Sequence, residues 1–220
     1  MKLAAGDKLV MIGNSITDCG RKRPVGEGRE DALGHGYVAL VKGWLDALYP
    51  ELAIRVVNMG ISGNTVRDLK ARWQTDVLDL KPDWVSVMIG INDVWRQFDH
   101  PLIKESHVYP DEYRQTLDEL VAATRPAVKG IVLMTPFYPE PNKQDAMRAR
   151  MDEYGSIARQ IAERHGAVLV DTQAAFEPLL RHVYPAALCW DRVHPNITGH
   201  TVLARAFLDG IGADWNRRVP

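Results

Sequence analysis

Cysteine is scarce in this chain: Cys19 and Cys189 are the only two in 220 residues. Two thiols so far apart make no disulfide framework. Long apolar runs are missing as well, and none approaches the roughly 20 residues that a bilayer-spanning helix needs. The opening MKLAAGDKLVMIG has neither the apolar stretch nor the cleavage site of a secretory signal. A cytoplasmic location with no membrane partner is therefore expected, where the sequon at Asn196 and Thr198 meets no glycosylation machinery. Nor is there a basic excess, since 27 Lys and Arg stand against 28 Asp and Glu, giving a net charge of −1. That balance argues against a nucleic-acid partner and leaves Arg217 and Arg218 as a solvated tail. Repeats and low-complexity linkers are absent too. The 46% hydrophobic and 25% charged residues place the chain among ordinary globular proteins. A chain of this length buries about 70% of its unfolded surface and needs no staples. One domain over residues 1–220 is expected.

Short β-rich apolar runs alternate with longer helical patterns. The runs are Lys8–Gly13, Ile54–Met59, Trp84–Gly90, Gly130–Thr135 and Ala167–Asp171. Between them Tyr37–Tyr49 places Val38, Val41, Leu45 and Leu48 at spacings of three and four, the signature of one helix face. Thr65–Leu80, Asp111–Ala127, Asp145–His165 and Thr198–Ile211 read the same way. Asp111, after Pro110, marks a helix start, and Gly166 stands where a helix C-cap belongs. Alternation of this kind predicts an α/β fold with a five-stranded parallel sheet covered on both faces. The irregular segments are Arg21–Gly36, Ile91–Tyr109, Phe137–Gln144 and Pro185–Asn196. In an open parallel sheet, ligands bind beyond the carboxyl ends of the strands, and long loops there carry function.

Four short blocks bear chemistry. Gly13-Asn14-Ser15-Ile16-Thr17 follows the first strand. Its plain reading is a helix cap by Ser15 or Thr17. It lacks the second glycine of a Gly-x-Ser-x-Gly elbow and the Gly-Lys-Ser/Thr ending of a phosphate loop. Asp191-Arg192-Val193-His194-Pro195 puts an acid three residues before a histidine. One turn can hold both, so the carboxylate orients the ring and leaves its other nitrogen as a base. The same pair also reads as a closed surface turn, or as a partial metal site with His200. Asn58-Met59-Gly60-Ile61-Ser62-Gly63-Asn64-Thr65, after the second strand, exposes backbone N–H groups through its two glycines, or is a turn capped by Asn64 or Thr65. Gly90-Ile91-Asn92-Asp93 ends the third strand with a side-chain amide that donates to an anion or shapes a turn. Together the four supply a nucleophile, a base with its orienter, and donors for an oxyanion, which is the equipment of acyl transfer.

These blocks, in this order from Gly13 to Pro195, resemble the SGNH or GDSL-like hydrolase family, whose name letters fall on Ser15, Gly63, Asn92 and His194. The resemblance implies a flavodoxin-like three-layer α/β/α fold. It implies that Ser15 attacks, that His194 is the base and that Asp191 orients it. The backbone N–H groups of Ser15 and Gly63 and the Asn92 amide would form the oxyanion hole. On this assignment the rate is expected to rise as His194 loses its proton. No cofactor and no metal are implied. One departure stands out, because the family's usual Gly-Asp-Ser is Gly-Asn-Ser here. Asn14 keeps the shape while losing a charge and gaining donors.

Longer matches narrow the family. Gly60–Leu69, Gly90–Arg96, Met134–Tyr138, Tyr184–Leu188 and Trp190 resemble bacterial intracellular acetylxylan esterases. That resemblance implies an acetylated sugar substrate, short xylooligosaccharides above all. Trp95, Phe137, Tyr138, Tyr184 and Trp190 lie on or beside the same loops, and flat aromatic faces stack on sugar rings; their plain reading is as core or interface aromatics. Trp190, Trp95 and Tyr184 are the candidate substrate contacts, while Trp73 and Trp84 read as core. A thioesterase or lysophospholipase would use the same triad but needs an extended apolar groove or lid. A non-catalytic interaction protein would not keep Ser15, Asp191 and His194 together. A homo-oligomer is expected, with Tyr184–Leu188 and Trp215 as interface candidates.

Overall fold

A computed structural model of the chain describes residues 1–29 and 31–219. Glu30, inside the segment expected to be irregular over residues 21–36, and Pro220, the last residue of the expected domain, lie outside the described residues. Five strands form one wholly parallel sheet: β1 (Lys8–Gly13), β2 (Arg55–Asn58), β3 (Trp84–Met88), β4 (Gly130–Met134) and β5 (Val168–Val170). Their order is β2-β1-β3-β4-β5. The strands fall within the expected runs, trimmed by one or two residues at some ends. β3 and β4 are buried along their whole length, which explains their nearly unbroken apolar sequence. Gly130 faces Trp84 across this pair; a Cβ there would lie 2.2 Å from the indole, so the large ring requires the glycine.

Helices cover both faces. On one side α2 (Tyr37–Leu48) packs against α8 (Ile197–Gly210), and α7 (Thr172–Leu180) joins them. On the other α3 (Val66–Asp76), α5 (Pro110–Thr124) and α6 (Ala146–His165) pack in a row. The expected α/β/α layering with a flavodoxin-like strand order is thus the observed one. Among the described residues no helix is long and apolar enough to cross a membrane. Local chemistry sets the helix ends. Thr65 and Asp68 form a capping box on α3, and the Asp145 carboxylate accepts the Arg148 N–H to open α6. Pro110 opens α5 at the position where its missing N–H costs nothing, one residue before the expected start at Asp111. Gly166 closes α6 at φ +60°.

Two helices depart from expectation. Residues 91–109 were expected to be irregular, yet α4 (Ile91–Asp99) occupies the first half. Asn92 and Asp93 look like turn formers in sequence, but both are buried in the first turn of this helix, beside Ile91 and Val94. α7 carries Pro178 in its interior and buries the polar Thr172 and Gln173 beside Phe176 and Leu180, so its apolar period is faint; the Asp171 carboxylate starts it by accepting from Ala174 N–H at 3.0 Å.

The strand order reverses between β1 and β3, so their carboxyl ends open a crevice. A single helical turn, α1 (Ser15–Asp18), begins one residue beyond β1 at this point.

Candidate active site

The turn after β1 holds Ser15 in place through its neighbours. Gly13 leaves no room for a side chain, because a Cβ would lie 2.4 Å from Thr17 Oγ1 and 2.5 Å from the Met88 carbonyl. Asn14, not Ser15 or Thr17, is the cap, and its Oδ1 accepts the Ile16 N–H at 3.1 Å. The Ser15 hydroxyl is thereby free for other work. At the far end, Cys19 closes the turn in the left-handed region at φ 40°, its N–H donating to the Ser15 carbonyl.

His194 reaches Ser15 from the turn before α8. Ser15 Oγ lies 2.8 Å from His194 Nε2, and His194 Nδ1 lies 2.6 Å from Asp191 Oδ2. An ionised carboxylate only accepts, so Nδ1 carries a proton and Nε2 offers its lone pair to the serine hydroxyl. The other oxygen of Asp191 accepts the backbone N–H groups of Val193 and His194 at 2.9 and 2.7 Å. Burial pushes the Asp191 carboxyl upward, but the bonds from the His194 ring and from the two backbone amides outweigh it and hold the pKa below the ordinary value. The acid stays ionised beside its histidine. Of the readings open for Asp191 and His194, the structure has the carboxylate orienting the ring, with the other ring nitrogen turned to Ser15.

Two further loops flank the serine. Gly63 adopts φ +83°, a conformation that favours glycine. This loop is stitched to the turn that bears Ser15, for a Cβ on Gly60 would lie only 2.2 Å from the Asp18 N. Asp18 Oδ2 accepts from both Ser62 N and Ser62 Oγ at 2.9 Å, and from Arg23 at 2.7 Å. Burial raises the Asp18 pKa, yet these donors bring it below the usual range. Arg72 of α3 spans the same junction, donating to the carbonyls of Gly13 and Met59, to Asn64 Oδ1 and to Asp76. Asn92, on α4, donates through its amide to the Asn64 carbonyl at 2.9 Å, and Asp93 beside it accepts from Val66 N–H. Thr65, one of the two cap candidates, does cap α3.

A cavity of about 370 Å³ opens beside Ser15, between Ile16, Cys19, His35, His194, Ile197 and His200. Sequence reasoning gave Cys19 and His35 no role and considered His200 only as a metal ligand. His200 is committed elsewhere: Nδ1 accepts the Tyr37 N–H at 3.1 Å, so Nε2 holds the proton and donates to Cys19 Sγ at 3.2 Å. The pair therefore cannot act as a second nucleophile and base. Burial, reinforced by the charges of His35 and His194, pulls the His200 pKa down to about 4, and burial with the nearby Asp18 pushes the Cys19 thiol up to about 11. Among the described residues, no three His, Cys, Asp or Glu side chains gather as a metal-binding set.

The aromatic candidates divide. Trp95 packs edge-on to the His194 ring at 5.9 Å, and the Arg96 guanidinium lies over the indole at 4.5 Å from the ring centre. Trp190 and Tyr184 are 79% and 77% exposed on the loop before the acid–histidine turn. Phe137 and Tyr138, the other two aromatics beside these loops, are buried: Phe137 stacks on Phe176 at 4.6 Å, and Tyr138 lies against Arg192. For these two the core reading holds, as it does for Trp73 and Trp84.

The sequence matches the GDSL-like Lipase/Acylhydrolase family over residues 11–202. It is 65% identical over 217 residues, 99% of each chain, to an acetylxylan esterase of Geobacillus stearothermophilus. The crystal structure of that organism's acetylxylan esterase Axe2 superposes with a TM-score of 0.98 at 64% identity, covering 100% of both chains. Structures of its catalytic mutants S15A, H194A and D191A match with the same TM-score, identity and coverage. With its serine, glycine, asparagine and histidine blocks in order around one sheet edge, the chain belongs to the GDSL-like lipase/acylhydrolase family.

Proposed function

We propose that the protein is a serine esterase that removes O-acetyl groups from acetylated xylooligosaccharides or related acetylated sugars. The observation that carries this reading is the relay from Ser15 Oγ through His194 to Asp191, with its two contacts of 2.8 and 2.6 Å. Ser15 Oγ attacks the acetyl carbonyl carbon while its proton passes to His194 Nε2. The tetrahedral adduct collapses with cleavage of the carbon–oxygen bond to the sugar, and the imidazolium protonates the departing sugar oxygen. Water, deprotonated by His194, then attacks the acetyl-serine and releases acetate. Asp191 holds the ring and balances its transient charge.

Ser15 N–H, Gly63 N–H and the Asn92 amide stabilise the oxyanion. Ser15 is the first residue of α1, so its N–H has no partner within the helix. The Asn92 amide has two hydrogens and commits one to Asn64, which leaves the other for the substrate. Each such donor contributes about 3–4 kcal/mol in the transition state. Trp95, beside His194, is a contact for the sugar, with Trp190 and Tyr184 at the rim.

The test is acetate release from peracetylated xylobiose by wild type and Ser15→Ala, with acetyl and octanoyl 4-nitrophenyl esters alongside. Rapid acetate release that disappears in the variant is expected. Turnover of the octanoyl ester alone would move the substrate to lipids or thioesters, and activity surviving in Ser15→Ala would remove the serine from its role.

Residues 1–220 act as one domain, supported by the single sheet and by a family match that spans most of the chain. The two unpaired thiols suit a reducing compartment, the cytoplasm. Exposed Tyr184 and Trp190, and the edge-to-face pair of Trp44 with Trp215 at 5.3 Å, support assembly of identical copies. Light scattering should give a mass well above that of one chain; a monomer at micromolar concentration would refute assembly.

A further inference from the structure

Between the acid and the histidine sits a residue in an unfavourable conformation. Arg192 has φ +63°, a left-handed backbone that suits glycine or asparagine better than a long side chain. The hydrogen bonds that shape this turn are local: Arg192 N–H donates to the Cys189 carbonyl, and the Asp191 carboxylate accepts the Val193 and His194 N–H groups. The Arg192 side chain, by contrast, leaves the turn. Its Nη1 meets Glu140 Oε2 at 2.5 Å, and its guanidinium lies 5.0 Å from the centre of the Tyr138 ring.

Glu140 is itself fixed. It lies on the loop between β4 and α6, where its other carboxylate oxygen accepts Asn142 N–H at 2.9 Å. Its backbone carbonyl accepts from Arg148, a side chain only 2% exposed that is also paired with Asp152 and Glu177. Tyr138 N–H is in turn held by Gln173 Oε1 at 2.8 Å. The loop that receives Arg192 is thus anchored to α6 and α7, both part of the body of the fold.

We propose that Arg192 is a positioning residue, whose ion pair with Glu140 and packing on Tyr138 fix the turn that presents Asp191 and His194 to Ser15. The strained backbone is tolerated because the side chain it projects adds a polar tie from the acid–histidine turn to the loop after β4, beside the anchor that buried Val193 already gives the turn in the core. This inference rests on the roles assigned above to Ser15, His194 and Asp191.

Two substitutions separate the side chain from the backbone. Arg192→Gly removes the clamp and relieves the strain; Arg192→Ala removes the clamp and keeps the strain. In Arg192→Gly the melting temperature should hold or rise, while kcat falls about 10- to 100-fold with KM changed by less than about twofold, the scale expected for a catalytic group misplaced by an ångström. The acid limb of the kcat/KM profile should move to lower pH, because a poorly aligned Asp191 stabilises the imidazolium less. Glu140→Gln should lower kcat similarly, the double variant Glu140→Gln with Arg192→Gly should lose little more than either alone, and Arg192→Lys should recover part of the rate. Wild-type kcat in Arg192→Gly, a loss confined to KM, or a silent Glu140→Gln would each overturn the clamp. Ser15→Ala is run in parallel. If it is inactive while Arg192→Gly is unimpaired, the clamp alone fails; if it stays active, the serine reading fails and the clamp with it.

Discussion

Asp93 offers a stability prediction with a worked magnitude. Its carboxyl is fully enclosed in the first turn of α4, where Oδ1 accepts the Val66 N–H at 2.9 Å and Oδ2 has no partner. Burial drives its pKa up to about 7, against the opposing pull of the Val66 bond. In the unfolded chain the same group titrates near pH 4. Between these values the unfolded chain has released the proton and the folded chain still binds it. Raising the pH through this window therefore favours unfolding, and the folded state loses up to about 4 kcal/mol, about three pH units at about 1.4 kcal/mol each. Below pH 4 the penalty vanishes, and above pH 7 it is complete. Asp93→Asn keeps the oxygen that accepts from Val66 and removes the titration. It should cost a pH-independent amount for its unpartnered amide, about 1–3 kcal/mol. Against that offset, its stability relative to wild type should improve steadily from pH 4 to 7 and then level off. Urea unfolding of both proteins at pH 4, 5, 6, 7 and 8 measures the slope. A stability difference that stays constant over this range would refute the reasoning.

Two more outcomes follow from the site. Asp191→Asn would direct an N–H at His194 Nδ1, force the ring proton onto Nε2 and leave Ser15 without an acceptor; kcat for acetate release should fall about 10⁴-fold, and a loss under about tenfold would deny Asp191 its orienting role. His200, neutral in the fold with a pKa of about 4, should make the wild type lose up to about 3 kcal/mol as the pH falls from 6.5 to 4, because the unfolded chain takes up a proton there that the folded chain refuses. His200→Gln, which can accept from Tyr37 and donate to Cys19, should flatten that acid slope in urea titrations, and an unchanged slope would exclude His200 as its source.

The strands were legible in the sequence because a parallel sheet buried on both faces demands continuous apolar runs, and β1, β3 and β4 supply them. The helices with a regular apolar face were legible for the same reason. α4 was not, since its first turn is built from Asn92 and Asp93, whose burial depends on contacts with the loop that leads into α3 rather than on any local period. The reacting groups could be read because each follows a strand or closes a tight turn, and strand order brings those ends to one edge. Asp191 and His194 were the easiest of all, as their interaction needs only one turn and no tertiary fold.

The supporting charges were hidden by the same logic in reverse. Arg72 lies on a helix whose sequence alternates Arg, Asp and Lys with apolar residues, and every cue marks it as solvated. It is half-buried because four acceptors converge on it from the ends of β1 and β2, from Asn64 and from Asp76, which no residue in its own window foretells. Burial is the leading influence on its guanidinium and lowers its pKa, offset in part by Asp76. Asp18 and Arg192 are cases of the same kind, Asp18 reaching from the Ser15 turn to Ser62 and Arg192 from the acid–histidine turn to Glu140 on the loop after β4. A sequence displays the groups that react, because their chemistry is specific to residue type. It conceals the groups that hold them, because a charged side chain acquires that task only when distant backbone carbonyls and carboxylates arrive around it. In this protein the positioning is assigned to ordinary arginines and aspartates, so the discriminating experiments are substitutions at Arg192 as much as at Ser15.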